Sequence, residues 1–136
     1  MRIVRLIVLT ISAAGLPISS AMGATPFPTG YDAAYKSFLR ALPAAGKNAG
    51  WLTKLNGVTS QPKPMKIGGK PVVYLFACKN HSCDTDNLNL FLAPDHKSFK
   101  AVLKIAGAQK LMGGAGAAEV ACVRKLDAAG GALDAC

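Results

Sequence analysis

The chain has 136 residues, with 16 Lys and Arg against 7 Asp and Glu, which gives a formal net charge of +9. Such a length suits one small domain that buries about two-thirds of the surface of its unfolded chain. The basic charge could attract nucleic acid, but the lysines are scattered and form no dense run. We therefore interpret them as a solvated surface and expect no nucleic-acid binding.

Residues 1–24 have the pattern of a cleaved secretory signal peptide. Arg2 and Arg5 precede an apolar run over 6–18, and small residues follow up to the cleavage site. The apolar run is short for a membrane span, so we expect export to the periplasm without a membrane anchor. Residues 25–136 would then form the folded domain, and loss of the two arginines lowers the formal net charge from +9 to +7.

The first part of this domain predicts a helix followed by a connection. Apolar and aromatic residues recur at helical spacing over 31–42, Asp32 is a candidate N-cap, and Pro43 ends the helix. Residues 44–50 are rich in Gly and Ala, so we expect a flexible connection there. Trp51, the only tryptophan, is expected to anchor a core or an interface.

The middle of the chain predicts antiparallel strands. Gly68-Gly69 favours a two-residue hairpin turn between the segment 65–67 and an apolar, β-branched strand over 70–77. Residues 87–92 alternate polar with apolar, which indicates a strand with one buried face. A strand over 98–106 follows. Together these segments predict an antiparallel meander of three or four strands.

A last helix is predicted over 117–126, where Val120, Val123 and Leu126 recur at helical spacing. Combined with the strands and the first helix, it completes the expected architecture. We predict an α+β fold, with a small antiparallel β-sheet and flanking N- and C-terminal helices.

All four cysteines lie in the predicted domain: Cys78, Cys83, Cys122 and Cys136. An even number in a small exported domain favours two disulfides. Of the three pairings, we favour the local one, Cys78–Cys83 with Cys122–Cys136. On the chain-entropy model these bonds would contribute about 2 and about 3 kcal/mol to stability.

The segment Cys78-Lys79-Asn80-His81-Ser82-Cys83 lies between two predicted strands. If its cysteines pair, a short ring holds His81 out from the sheet as a rigid probe. Cys78, His81 and Cys83 could alternatively bind copper or zinc, although no second cluster of cysteines and histidines follows. A third hypothesis is that the chain is a structural envelope protein, in which the segment is only a turn stabilised by a disulfide.

Catalytic chemistry is poorly represented in the sequence. It has 2 histidines and 7 acidic residues, and no carboxylate pair is evident. Neither Ser82 nor Ser98 lies in a nucleophile-elbow motif, and His96 falls in a polar turn where we expect it to be solvated. We therefore expect no enzyme activity, no cofactor and no bound metal.

The order Tyr-x-x-x-Cys-Lys-x-His-x-Cys, from Tyr74 to Cys83, resembles the inhibitor of vertebrate lysozyme family, Ivy, whose signature is Cys-Lys-Pro-His-Asp-Cys after a strand. Trp51, the glycine turn at 68–69 and the Met112-Gly113 entry to the last helix are also similar. The resemblance spans residues 31–130. Within the signature, Asn80 replaces the proline and Ser82 replaces the aspartate.

The resemblance implies a periplasmic inhibitor whose loop plugs the active-site cleft of a c-type lysozyme, protecting peptidoglycan from a host enzyme. The expected target-binding residues are Cys78, Lys79, Asn80, His81, Ser82 and Cys83. A lytic transglycosylase of the cell is an alternative target, because such enzymes also present an acidic catalytic group. A homodimer stays open alongside a monomer.

Overall fold

The computed structural model describes residues 27–136, so the predicted signal peptide lies outside the described residues. The four helices described are α1 (Asp32–Ala41), α2 (Ala44–Lys47), α3 (Gly50–Thr53) and α4 (Ala117–Ala128). The six strands are β1 (Val58–Thr59), β2 (Lys63–Ile67), β3 (Lys70–Cys78), β4 (Asn87–Leu92), β5 (Phe99–Ile105) and β6 (Ala108–Met112). The predicted α+β class, with an antiparallel sheet and helices near both ends of the domain, is confirmed.

The strands form one antiparallel sheet in the order β1-β3-β4-β5-β6, with β2 also paired to β3. β1 pairs with the end of β3 at Ala77 and Cys78, whereas β2 pairs with the beginning of β3. The predicted meander corresponds to β2–β5 and therefore misses two strands. β1 has only two residues, and β6 is an exposed edge strand without a β-branched residue, so neither carries a strong strand pattern.

Helices cover both faces of the sheet. Side chains of α1 and α3, such as Phe38 and Trp51, pack on one face, while Leu126 of α4 packs with Tyr74 on the other. Every residue of β4 after the first is buried, so the prediction that 87–92 has only one buried face is wrong. Asn89 is tolerated inside because its side-chain oxygen accepts a hydrogen bond from the Tyr74 hydroxyl at 2.7 Å.

The segment before the sheet is more ordered than predicted. Residues 44–50 contain α2 and the start of α3, where Trp51 is buried in the core. α1 ends before Pro43, as predicted. Asp32 is the first helical residue rather than the N-cap, a position held by Tyr31 without a side-chain cap.

The C-terminal tail closes one edge of the sheet. Ala135 forms a parallel bridge with Lys66 of β2, and the Cys136 N–H donates to the Lys66 carbonyl at 2.7 Å. The Cys122–Cys136 disulfide joins this tail to α4, so the favoured pairing is confirmed at this site. The tail thereby shields backbone groups of an edge strand that would otherwise be unpaired.

The antiparallel register fixes which turns share an end of the sheet. The β3–β4 connection, residues 79–86, lies at the same end as the β5–β6 turn, residues 106–107. The β2–β3 turn at 68–69 and the β4–β5 turn at 93–98 lie at the opposite end. The two histidines, His81 and His96, are therefore separated by the length of the sheet.

Candidate functional site

The candidate site is the β3–β4 connection, residues 79–86, which we call the His81 loop. The Cys78–Cys83 disulfide closes its first part, with the two Cα atoms 5.0 Å apart, and confirms the favoured pairing. Cys78 is fully buried at the end of β3, whereas Cys83 is exposed. The bond therefore fastens a surface loop directly to the core of the sheet.

A close backbone contact supports the base of the loop. A Cβ placed at Gly57 would collide with the carbonyl oxygen of Cys78 and would also crowd the Cβ of Trp51. Only glycine lets the chain entering β1 pass this closely to the end of β3. The sequence drew attention to Trp51 but gave no signal for Gly57, because its role depends on a partner distant in sequence.

A tight turn presents His81 at the tip of the loop. The Ser82 N–H donates to the Lys79 carbonyl at 3.0 Å, which places Asn80 and His81 at the two central positions. His81 has φ +64°, the left-handed conformation that a type II turn requires at its third residue. The Lys79, Asn80 and His81 side chains are exposed. No hydrogen bond found within residues 27–136 uses the His81 imidazole, so both ring nitrogens can bind a partner.

Asp86 organises the second half of the loop. Its N–H donates to the Ser82 carbonyl at 2.8 Å, and its carbonyl accepts from the Lys79 N–H at 3.0 Å. Its carboxylate accepts from the Ala106 N–H at 3.1 Å and from the Thr85 hydroxyl at 2.9 Å. The Ala106 N–H, then the Thr85 hydroxyl, and more weakly the Lys79 charge, hold the Asp86 pKa below its ordinary value. The role of Asp86 could not be predicted from the sequence, because the Ala106 N–H that it accepts lies 20 residues away.

The charges around the loop are mixed. Lys104 of β5 donates from Nζ to the Asp84 carbonyl at 3.3 Å, and Lys79 lies close enough to Asp86 to influence its pKa. Lys110 is exposed on the neighbouring strand β6. The loop and the neighbouring strands β5 and β6 therefore combine three lysines with two aspartates.

The residues proposed for metal binding are already engaged. Cys78 and Cys83 form a disulfide, so neither can act as a thiolate ligand unless the loop is reduced. Across the described part of the chain, no group of three or more His, Cys, Asp or Glu side chains is placed to hold a metal ion. The copper or zinc hypothesis would thus require a different redox state of the loop.

The residues considered for nucleophilic chemistry do not converge. Ser82 lies in the His81 loop, whereas Ser98 and His96 lie at the opposite end of the sheet. The Ser98 hydroxyl donates to the Asp95 carboxylate at 2.5 Å. His96 is exposed, but its ring is not simply solvated, because it stacks on Tyr31 with centroids 4.2 Å apart. This arrangement does not form a Ser-His-Asp triad.

No protein-family model matches the chain, and no curated protein matches it either. Within residues 27–136, no helix combines the length and the hydropathy that crossing a bilayer requires.

Proposed function

We propose that the chain is an exported inhibitor of a glycan-cleaving enzyme, and that the His81 loop plugs the cleft of a c-type lysozyme. The observation that carries the proposal is an exposed imidazole on a covalently closed turn whose base is anchored in the core. The similarity of the segment Cys78–Cys83 to the Ivy signature supports the same function.

The chemistry of such a target explains why an imidazole would be effective. A lysozyme cleft contains two carboxyl groups, a protonated general acid and an ionised partner. One imidazole can donate a hydrogen bond to the carboxylate and accept one from the acid, while Lys79 adds a positive charge beside it. A loop held there occupies the position of the scissile bond and excludes the substrate.

A loop that is already ordered before binding loses less free energy on association, so these hydrogen bonds would contribute more fully to affinity. Association costs about 0.5–1.5 kcal/mol for each flexible side chain that is immobilised, and additional free energy for each loop that is ordered. The Cys78–Cys83 disulfide, the Lys79–Ser82 turn and the contacts of Asp86 order this loop before it meets a partner. The catalytic groups belong to the target, so the inhibitor needs no cofactor and no reactive group of its own.

The net charge gives no long-range attraction toward a c-type lysozyme, so a second glycan-cleaving target stays open. A c-type lysozyme is itself basic, so long-range attraction would not guide it to a domain with a formal net charge of +7 after loss of Arg2 and Arg5. A lytic transglycosylase of the same cell also has an acidic catalytic group. Predicted export through residues 1–24 would bring the domain to the periplasm, where it could meet either enzyme.

The proposal is tested by the substitution His81→Ala. We expect the free energy of unfolding to fall by only about 0.5 kcal/mol, because the side chain is exposed and makes no hydrogen bond within residues 27–136. Affinity for the susceptible enzyme should fall at least thirtyfold, equivalent to about 2 kcal/mol, if the ring lies at the centre of the interface. Inhibition assays with a c-type lysozyme and a transglycosylase provide the measurement.

His96→Ala is the matched control for this experiment. His96 has φ +62° and His81 has φ +64°, so alanine meets nearly the same backbone conformation at both positions. The control should retain full inhibition, because its turn lies at the far end of the sheet. Equal inhibition by the parent and by His81→Ala on a susceptible enzyme would exclude the plug mechanism.

A further inference from the structure

The β5–β6 turn lies directly against the His81 loop. The Gly107 N–H donates to the Thr85 carbonyl at 2.9 Å, and the Ala106 N–H donates to the Asp86 carboxylate at 3.1 Å. Ala106 and Gly107 have φ +48° and φ +80°, the left-handed pair that closes a tight two-residue hairpin. Both residues are exposed, so the turn presents a surface of its own beside His81.

The His81 loop alone is too small to account for a stable complex. Standard protein–protein interfaces bury about 800 Å² on each partner and involve about 20–30 residues a side. The two cysteines that close the ring, Cys78 and Cys83, are only five residues apart in the sequence. Whatever binds His81 must therefore contact further surface at the same end of the sheet, and the β5–β6 turn offers such a surface because it is exposed and hydrogen-bonded to the loop.

We propose that the β5–β6 turn is a second contact element for the same partner, held beside the His81 loop by Asp86. This inference rests on the proposed function and names the surface that the enzyme would meet. Lys104, which donates to the Asp84 carbonyl, and Lys110 lie on the two strands that the turn connects, while Lys79 lies within the loop. The partner that fits is an acidic cleft wide enough to contact both turns. Asp86 acts as a positioning residue, because its carboxylate accepts the Ala106 N–H and so affects the partner through the turn.

A matched pair of glycine substitutions tests the second contact. Gly107 and Gly68 have φ +80° and φ +56°, and a Cβ at either position meets no heavy atom within 4 Å. Asparagine tolerates this conformation better than most residues, so both Gly107→Asn and Gly68→Asn should fold. Gly107→Asn places a side chain beside the His81 loop and should weaken inhibition about tenfold or more, as expected for a central contact. Gly68→Asn modifies the far end and should leave inhibition within about twofold of the parent.

The link through Asp86 is measured without any target. Asp86→Ala should accelerate amide hydrogen exchange at Ala106 and at Gly107 about tenfold or more, because the turn loses the carboxylate that holds it. Asp95→Ala is the matched control, since Asp95 accepts the Lys97 and Ser98 N–H groups in the turn at the opposite end. That control should accelerate exchange in its own turn and leave Ala106 and Gly107 unchanged.

The outcomes separate this inference from the proposed function. If Gly107→Asn inhibits the enzyme as well as the parent does, while His81→Ala inhibits it poorly, the second contact is excluded and the plug mechanism stands. Unchanged exchange at Ala106 in Asp86→Ala would overturn the link. A parent protein that inhibits neither class of glycan-cleaving enzyme would overturn the proposed function and the second contact with it, while the exchange data would still decide the link.

Discussion

Two polar turns at opposite ends of the sheet each hold a histidine in the same backbone conformation, but the two histidines differ in their contacts. Each contains a histidine in the left-handed conformation, His81 at φ +64° and His96 at φ +62°. The His96 ring stacks on Tyr31, and its Nδ1 lies 3.3 Å from the Gly30 carbonyl oxygen. The His81 ring makes no such contact within the described residues. The His96 ring therefore packs against its own chain, whereas the His81 side chain is left exposed.

Each turn is also organised by an aspartate, and here too the two differ. Asp95 accepts the Ser98 hydroxyl and the Ser98 and Lys97 N–H groups, which lower its pKa to about 2. All of these partners belong to its own turn. Asp86 instead reaches Ala106 on a neighbouring turn. A local aspartate can be recognised from its sequence neighbours, whereas a bridging one cannot.

The largest predicted effect compares the two disulfides. Replacing Cys122 and Cys136 with alanine should lower the free energy of unfolding by about 3 kcal/mol, and replacing Cys78 and Cys83 should lower it by about 2 kcal/mol, since the second loop is shorter. Only the second double variant should also lose inhibition, because it loosens the His81 loop. Urea unfolding and inhibition assays on both variants provide the measurements. Full inhibition without the Cys78–Cys83 bond would show that covalent bracing is unnecessary for function.

A smaller effect is expected from His96→Ala. Loss of the stacked Tyr31 contact should lower the free energy of unfolding by about 0.5–1.5 kcal/mol. His81→Ala has a similar backbone cost and no such contacts to lose, so the difference between the two variants in urea unfolding measures the contacts of the His96 ring with Tyr31 and Gly30. Identical unfolding midpoints would mean that the contacts of the His96 ring contribute nothing to the free energy of unfolding.

The sequence predicts the local features of this molecule and misses those that arise between distant segments. Periodicity located α1 and α4, and the short separations of the cysteines favoured the pairings that the structure contains. β6 has the sequence Ala-Gln-Lys-Leu-Met, which favours a helix over a strand, and it is a strand because it pairs with β5. From the sequence, Asn89 is expected to face solvent. It is buried because its side chain accepts a hydrogen bond from the distant Tyr74 hydroxyl.

The smallest predicted effect concerns the second residue of each turn, which is Asn80 in the His81 loop and Pro94 in the turn over residues 93–96. In the far turn, the His96 N–H donates to the Ala93 carbonyl at 3.1 Å, and Pro94 occupies the second position. Asn80 occupies the second position of the Lys79–Ser82 turn, where proline is also favoured.

Asn80→Pro should therefore raise the free energy of unfolding by about 0.4–1 kcal/mol, because it restricts the unfolded chain. Within residues 27–136, no backbone hydrogen bond uses the Asn80 N–H, so proline removes no native contact there. A loop that is less free to move should also bind slightly more tightly. Pro94→Asn is the reverse change at the far turn and should lower stability by a similar amount without altering inhibition. Urea unfolding with inhibition assays on both variants measures the pair, and a destabilised Asn80→Pro would show that the His81 loop does not have the backbone conformation described here.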